Sequence, residues 1–196
     1  MERDEKTFWN QKYADAPEKW LEPDPFLETA CNEFLSRRTS GAALDLAGGA
    51  GRHALWLAER GWRVKLVDIS DVGLSLAEQK ASLGSATGRN GGVITENVDL
   101  ASISDLGKEE YDLIVIFYFL RRELFPALIS ALKPNGFLVY RTYTIDQQKL
   151  GRGPGDPQFL LQANELLQAF TSLRIWHYRE RIAEKATAEL VAQKNT

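Results

Sequence analysis

AALDLAGGAGRHALWLAERGWRVKLVDIS, residues Ala42–Ser70, decides the fold of this chain. An apolar run, Ala42-Ala43-Leu44, ends on Asp45. Gly48, Gly49 and Gly51 follow, and then apolar residues at helical spacing, Ala54, Leu55, Leu57 and Ala58, up to Gly61. A second apolar run, Val64–Val67, ends on Asp68. The order strand, glycine turn, helix, strand, acid describes a βαβ unit with a nucleotide-type crevice at the carboxyl ends of its strands. Glycine supplies the positive φ of such a turn and lets a ligand approach the backbone. Asp68 stands 17 residues after Gly51, close to the spacing at which an acid meets a ribose hydroxyl.

Two cofactors compete for this unit. Gly49-Ala50-Gly51-Arg52-His53-Ala54 fits the dinucleotide fingerprint G-x-G-x-x-A and suggests NAD. Asp45 opposes that, because a diphosphate beside the turn would face a like charge in a partly dry crevice. A ligand with an ammonium group and no phosphate suits the position better, and S-adenosylmethionine (SAM) is such a ligand.

Asp45–Gly51, DLAGGAG, resembles motif I of the class I SAM-dependent methyltransferases. The resemblance continues in Asp68, in Asp99-Leu100, in YDLIVIFYFL (Tyr111–Leu120) and in LKPNGFLVY (Leu132–Tyr140). GAGRHALWLAERGW is most similar to the small bacterial TehB-like group, the tellurite-resistance type. The match covers roughly Phe8–Phe170. Gly48 departs from it, since relatives often carry Cys there; only backbone is required, so the departure is expected to matter little.

The resemblance implies a doubly wound, Rossmann-like α/β fold. It has a mostly parallel seven-stranded sheet, a C-terminal antiparallel hairpin and helices on both faces. Residues 1–196 form a single methyltransferase domain: 1–22 an N-terminal lid, 42–143 the cofactor-binding core, 144–196 a substrate-side loop and closing strands. SAM is expected against Trp9, Tyr13, Asp45, Ala47, Gly48, Gly49, Gly51, Asp68, Ile69, Asp99, Leu100 and Phe117, with Asp99 on the adenine amino group. Trp9, Tyr13 and Trp20 stand four and seven residues apart, so they can share one helix face. An aromatic ring near the sulfonium gains cation–π energy, about 0.5–2 kcal/mol.

Composition narrows the partners. The 196 residues are enough for one core, with 44% hydrophobic and 26% charged residues. The net charge of −3 argues against extended nucleic-acid binding. No apolar run reaches membrane-spanning length, and the charged start MERDEKTFWNQ lacks a signal-peptide core. A cytoplasmic protein, monomer or homodimer, is the expectation. The single Cys31 allows no internal disulfide, and no Cys/His cluster suggests a metal.

Working outward, Asp24-Pro25 opens a helix read as Phe26–Arg38, and Ser70 and Asp71 can cap another, Val72–Leu83. Val93–Val98 reads as the third strand and Leu113–Phe117 as a central one. A helix over Glu123–Leu132, a turn at Pro134-Asn135-Gly136, a fifth strand Phe137–Tyr143 and a short helix Gln162–Phe170 follow. Ile145–Asp156 is too polar for core and is expected to be a mobile loop. Ser172–Ile182 and Ala186–Ala192 suggest a closing hairpin. Tyr118, Arg121, Arg141, Tyr143 and Arg152 are expected near the mouth, where arginines recognise oxyanions. Relatives often have His at the position of Arg121 and an acid at that of Arg141, which places the difference on the substrate side. His53 and His177 read as structural. The function expected is methyl transfer from SAM to a small, anionic acceptor such as a thiol or chalcogen oxyanion, with no assigned catalytic base. The alternatives are an NAD-dependent oxidoreductase and a non-catalytic SAM-binding module.

Overall fold

The computed structural model describes residues 4–15, 22–36, 38–84 and 91–196. They fall into two compact units, residues 1–103 and 104–196. Trp20 lies outside the described residues, as do residues 85–90.

The first unit contains α1 (Glu5–Asp15), α2 (Pro25–Phe34), β1 (Gly41–Leu46), α3 (Arg52–Glu59), β2 (Trp62–Asp68), α4 (Asp71–Gly84) and β3 (Gly92–Asn97). Its strands are parallel in the order β3-β2-β1. The register sets Leu46 opposite Val67 and Asp68 opposite Asn97, so the polar ends of the strands arrive at one edge. Pro25 starts α2, and the Asp24 side chain accepts from the Phe26 N–H at 3.0 Å. That helix stops at Phe34, short of the expected Arg38. Leu35 leaves helical geometry and turns into the core, where it is 2% exposed. Ser70 is the cap of α4, its Oγ accepting from the Gly73 N–H at 3.0 Å, whereas Asp71 pairs with Lys6 at 2.7 Å.

The second unit contains β4 (Tyr111–Phe117), α5 (Phe125–Ala131), β5 (Leu132–Tyr143), α6 (Glu165–Ala169), β6 (Arg174–Ile182) and β7 (Ala186–Gln193). Its order is β4-β5-β7-β6, with β4 parallel to β5 and β7 antiparallel to both its neighbours. Residues 113–117 of β4 are all buried, which is why that run lacks alternation. The helix expected from Glu123 is split. A 3₁₀ turn, Arg122–Leu124, precedes α5, and Pro126 occupies its first turn, where no N–H is needed. The turn at Pro134-Asn135-Gly136 lies within the span of β5, with Asn135 at φ +62°.

The Ile145–Asp156 segment corrects an expectation. Gln147 is 1% exposed; its Oε1 accepts from the Ala186 N–H (2.8 Å) and its Nε2 donates to the Arg152 carbonyl (2.6 Å). One long amide side chain satisfies buried backbone on both sides, so a polar stretch is stapled to β7. The seven strands, flanked by helices, form a mostly parallel, Rossmann-like sheet that ends in an antiparallel hairpin.

Candidate functional site

In the first unit everything converges on the turn after β1. Ala47, Gly49 and Gly51 have φ of +56°, +57° and +75°. Three left-handed residues in five bend the chain sharply into α3 and turn backbone groups outward. Two carboxylates support the bend from beneath. Asp45 is fully buried at the end of β1, and its Oδ2 accepts from the Ala54 N–H at 3.0 Å. Asp68 is 6% exposed; its two oxygens accept from the N–H groups of Gly49 and Ser70, each at 2.8 Å.

Burial sets the charge of these groups. It pushes the Asp45 carboxyl up to about 7, with the Ala54 N–H pulling the other way and Asp68 adding like-charge repulsion. Asp68 is likewise raised by burial, against its backbone N–H donors. The expectation placed Asp45 at the mouth as a charged guard; it lies instead sealed beneath the turn and half neutral near pH 7. Its Oδ1 is buried with no hydrogen-bond partner among the described residues.

Gly48 corrects the expectation that only its backbone counts. A Cβ there would run into the Leu66 side chain and the Asp45 carboxyl, both fully buried. Gly48→Ala is expected to lower stability by about 1–3 kcal/mol, read from the denaturant midpoint at unchanged slope. An unchanged midpoint would mean that the turn has room to relax.

The N-terminal helix is fastened over this turn. Asn10 Oδ1 accepts from the Ser70 hydroxyl (2.7 Å) and the Val72 N–H (3.3 Å). Tyr13 is buried at 6%, and its ring lies about 3.1 Å from where a Cβ on Gly73 would sit. A Cβ on Gly49 would strike the Tyr13 hydroxyl. Burial, with Asp68 nearby, drives that phenol upward, so it stays protonated. Trp9 stacks on Tyr13 at 5.9 Å, and Lys12 Nζ stands 4.5 Å from the Trp9 ring centroid.

Asn97 ties the neighbouring strand end to this edge, its Nδ2 donating to the Ile69 carbonyl at 2.8 Å. Sequence reasoning missed both Asn10 and Asn97. Asn10 was legible as the residue one turn before Tyr13; Asn97 carried no local signal. Asp99 is exposed and its Oδ1 accepts from the Ala101 N–H at 2.8 Å, while Leu100 is buried. His53 is buried, its Nε2 accepting from the Asp24 N–H (3.2 Å), and burial lowers it to about 3, so it is a neutral prop of α2.

The second unit gathers the expected acceptor-side residues. Tyr118, directly after buried Phe117, has φ +59°, an outlier for a bulky side chain. Its N–H donates to the Arg141 carbonyl at 2.8 Å, and its ring meets Tyr143 at 5.1 Å. Arg141 differs from the expectation of an oxyanion receptor. Strand register sets Arg141 and Arg179 on either side of Glu189, which is 2% exposed. Their guanidiniums lie 3.5 and 2.8 Å from its carboxylate, with His177 at 3.7 Å. Arg121 approaches Glu123 at 3.8 Å. A pocket of about 390 Å³ is lined by residues of the Gln147–Gly155 loop. Among the described residues no helix is long and apolar enough to cross a membrane, and no three His, Cys, Asp or Glu side chains group as metal ligands.

Residues 43–136 match the family model described as a methyltransferase domain. Magnesium protoporphyrin IX methyltransferase from Synechocystis PCC 6803, solved with S-adenosylhomocysteine (SAH) bound, is similar at a TM-score of 0.74 and 16% identity, over 97% of each chain. TehB from Haemophilus influenzae is similar at 0.72 and 17%, over 97% of this chain and 67% of its own. A protein that converts a disulfide bond into a thioacetal group during echinomycin biosynthesis is similar at 0.67 and 20%, over 89% and 82%. A comparison with curated protein sequences returns no significant match.

Proposed function

Because residues 43–136 match a methyltransferase domain and the chain carries its Rossmann-like sheet, we propose that residues 1–196 act as one class I SAM-dependent methyltransferase domain that methylates a small anionic acceptor by in-line displacement. SAM, when bound, supplies a methyl group on a sulfonium, a leaving group that departs without acid catalysis. What the chain contributes is placement and charge. The observation that carries the reading is the pair of buried carboxylates, Asp45 and Asp68, under a glycine turn. Such a site favours a cationic ligand and disfavours the diphosphate of NAD. Asp45 Oδ1 supports the same reading, since a buried oxygen with no partner gains from an ammonium group nearby.

Trp9 and Tyr13 in α1 exclude water from the turn. Tyr118 and Tyr143 in the second unit receive the acceptor. An acceptor that is already an anion brings its own lone pair, so the chain needs no general base. This agrees with the burial of His53 and the engagement of His177 with Glu189. The small-molecule character draws support from two of the similar proteins, one acting on magnesium protoporphyrin IX and one on a disulfide.

Calorimetry with SAH tests the cofactor half. Asp68→Ala removes a carboxylate that accepts two backbone N–H groups. It is expected to weaken SAH by roughly tenfold or more, the equivalent of one or two charge-assisted hydrogen bonds. Equal affinity in wild type and variant would remove Asp68 from the site. NADH binding tighter than SAH would remove the reading.

A further inference from the structure

Asp45 and Asp68 stand under the same turn, but the fold provides for them unequally. Asp68 spreads its charge over the N–H groups of Gly49 and Ser70, each at 2.8 Å. Asp45 is fully buried; its Oδ2 accepts from the Ala54 N–H at 3.0 Å, and its Oδ1 has no hydrogen-bond partner among the described residues. A buried carboxylate keeps its charge where donors or a cation face it and takes up a proton where they do not. Of the two acids, Asp45 is therefore the one that gives way.

The elements packed around Asp45 do little to hold its charge. β2 brings Asp68, a like charge, and α3 brings Arg52, whose cation acts against burial. His53, the next residue of α3, is neutral. α4 faces the turn with Gly73 and Ala77, and α1 with the phenol of Tyr13, which stays protonated. One cation against one acid leaves burial to decide, and burial pushes the Asp45 carboxyl up to about 7.

We propose that Asp45 couples cofactor binding to proton release: a ligand that brings an ammonium group over the turn ionises Asp45, whose carboxyl O–H bond breaks and whose proton passes to solvent. This rests on the methyl-transfer reading given above, which brings an ammonium group to this turn. By reciprocity, a proton on Asp45 weakens the ligand by the same factor by which the ligand weakens the proton. Affinity therefore rises with pH up to about 7 and levels off above it, where Asp45 is ionised with or without ligand.

The probes are SAH and 5′-methylthioadenosine, which shares the adenosine and the thioether but has no ammonium group. Each is titrated by calorimetry into the full chain at about pH 7 in two buffers of different ionisation enthalpy, and then across about pH 5.5–7.5. SAH is expected to release about 0.3–0.5 proton per site at pH 7, and its affinity to rise about three- to tenfold across that range. 5′-Methylthioadenosine should release almost none and bind with little dependence on pH. In Asp45→Asn the proton release by SAH and the rise with pH should both disappear, while an unchanged affinity for 5′-methylthioadenosine shows that the variant is folded. Equal proton release by the two ligands, SAH binding without release, or release that persists in Asp45→Asn overturns the proposal and leaves the methyl-transfer reading standing. Failure of wild type to bind SAH overturns both.

Discussion

Glu189→Leu is expected to lower the stability of the protein by about 3–5 kcal/mol, the cost of stranding charge inside a fold. Glu189 sits at 2% exposure in β7 between Arg141 on β5 and Arg179 on β6. The Arg179 side chain is half exposed and can turn to water, but the Arg141 side chain is only 18% exposed and has no such escape. Removing the carboxylate therefore penalises Arg141 most. The pair Arg141→Met with Glu189→Leu should recover most of the loss, because an apolar pair of similar volume avoids desolvating charge altogether. A double-mutant cycle by urea denaturation measures the coupling. Additive effects would mean that the two groups do not depend on each other. Arg141→Ala should likewise register as instability and leave acceptor affinity alone, the reverse of what a substrate-binding arginine would do.

Asp45→Asn is expected to stabilise the ligand-free protein at pH 8 by at most about 4 kcal/mol, the value of a shift from the ordinary 3.8 to about 7. A carboxyl raised on folding holds its proton in the folded state while the unfolded chain has lost it. Its ionisation therefore costs stability as pH rises from about 4 to 7. His53 has the opposite sign. Lowered from 6.5 to about 3, it stays neutral in the fold while the unfolded chain gains a proton, so stability falls as pH drops below 6.5. Between about pH 4 and 6.5 the two contributions nearly cancel in wild type. Asp45→Asn unmasks the His53 slope, so the variant should lose stability on acidification where wild type changes little. Thermal melts across pH 4–8 would show this. The same variant should bind SAH several-fold more weakly, having lost the negative charge that lies beneath the turn and favours an ammonium group above it. A variant less stable than wild type at pH 8 would mean that the Asp45 ionisation is compensated in the fold.

The strand, turn, helix, strand order of the first unit was legible because it rests on local chemistry. Apolar runs of the right length, glycines where φ must be positive and Ser70 before a helix each act within a few residues. The resemblance of DLAGGAG and its companions to one methyltransferase family was legible for the same reason. Charge state was not, because it depends on what lies around a carboxylate in three dimensions. Asp45 reads in the sequence as a guard at the mouth, and only the closure of β1, β2 and α3 around it makes it a buried, half-neutral brace.

Arg141 shows the same division. Its type and position suggest a receptor for an oxyanion, and the register of two distant strands gives it Glu189 instead. Gln147 gains its role through a hydrogen bond that links the segment after β5 to the start of β7, 39 residues away in the chain. Local sequence thus determined which elements form and which cofactor suits the turn. Tertiary structure decided which charges are buried and which are paired within the fold, because pairing and burial are properties of the packed chain and of no short stretch of it.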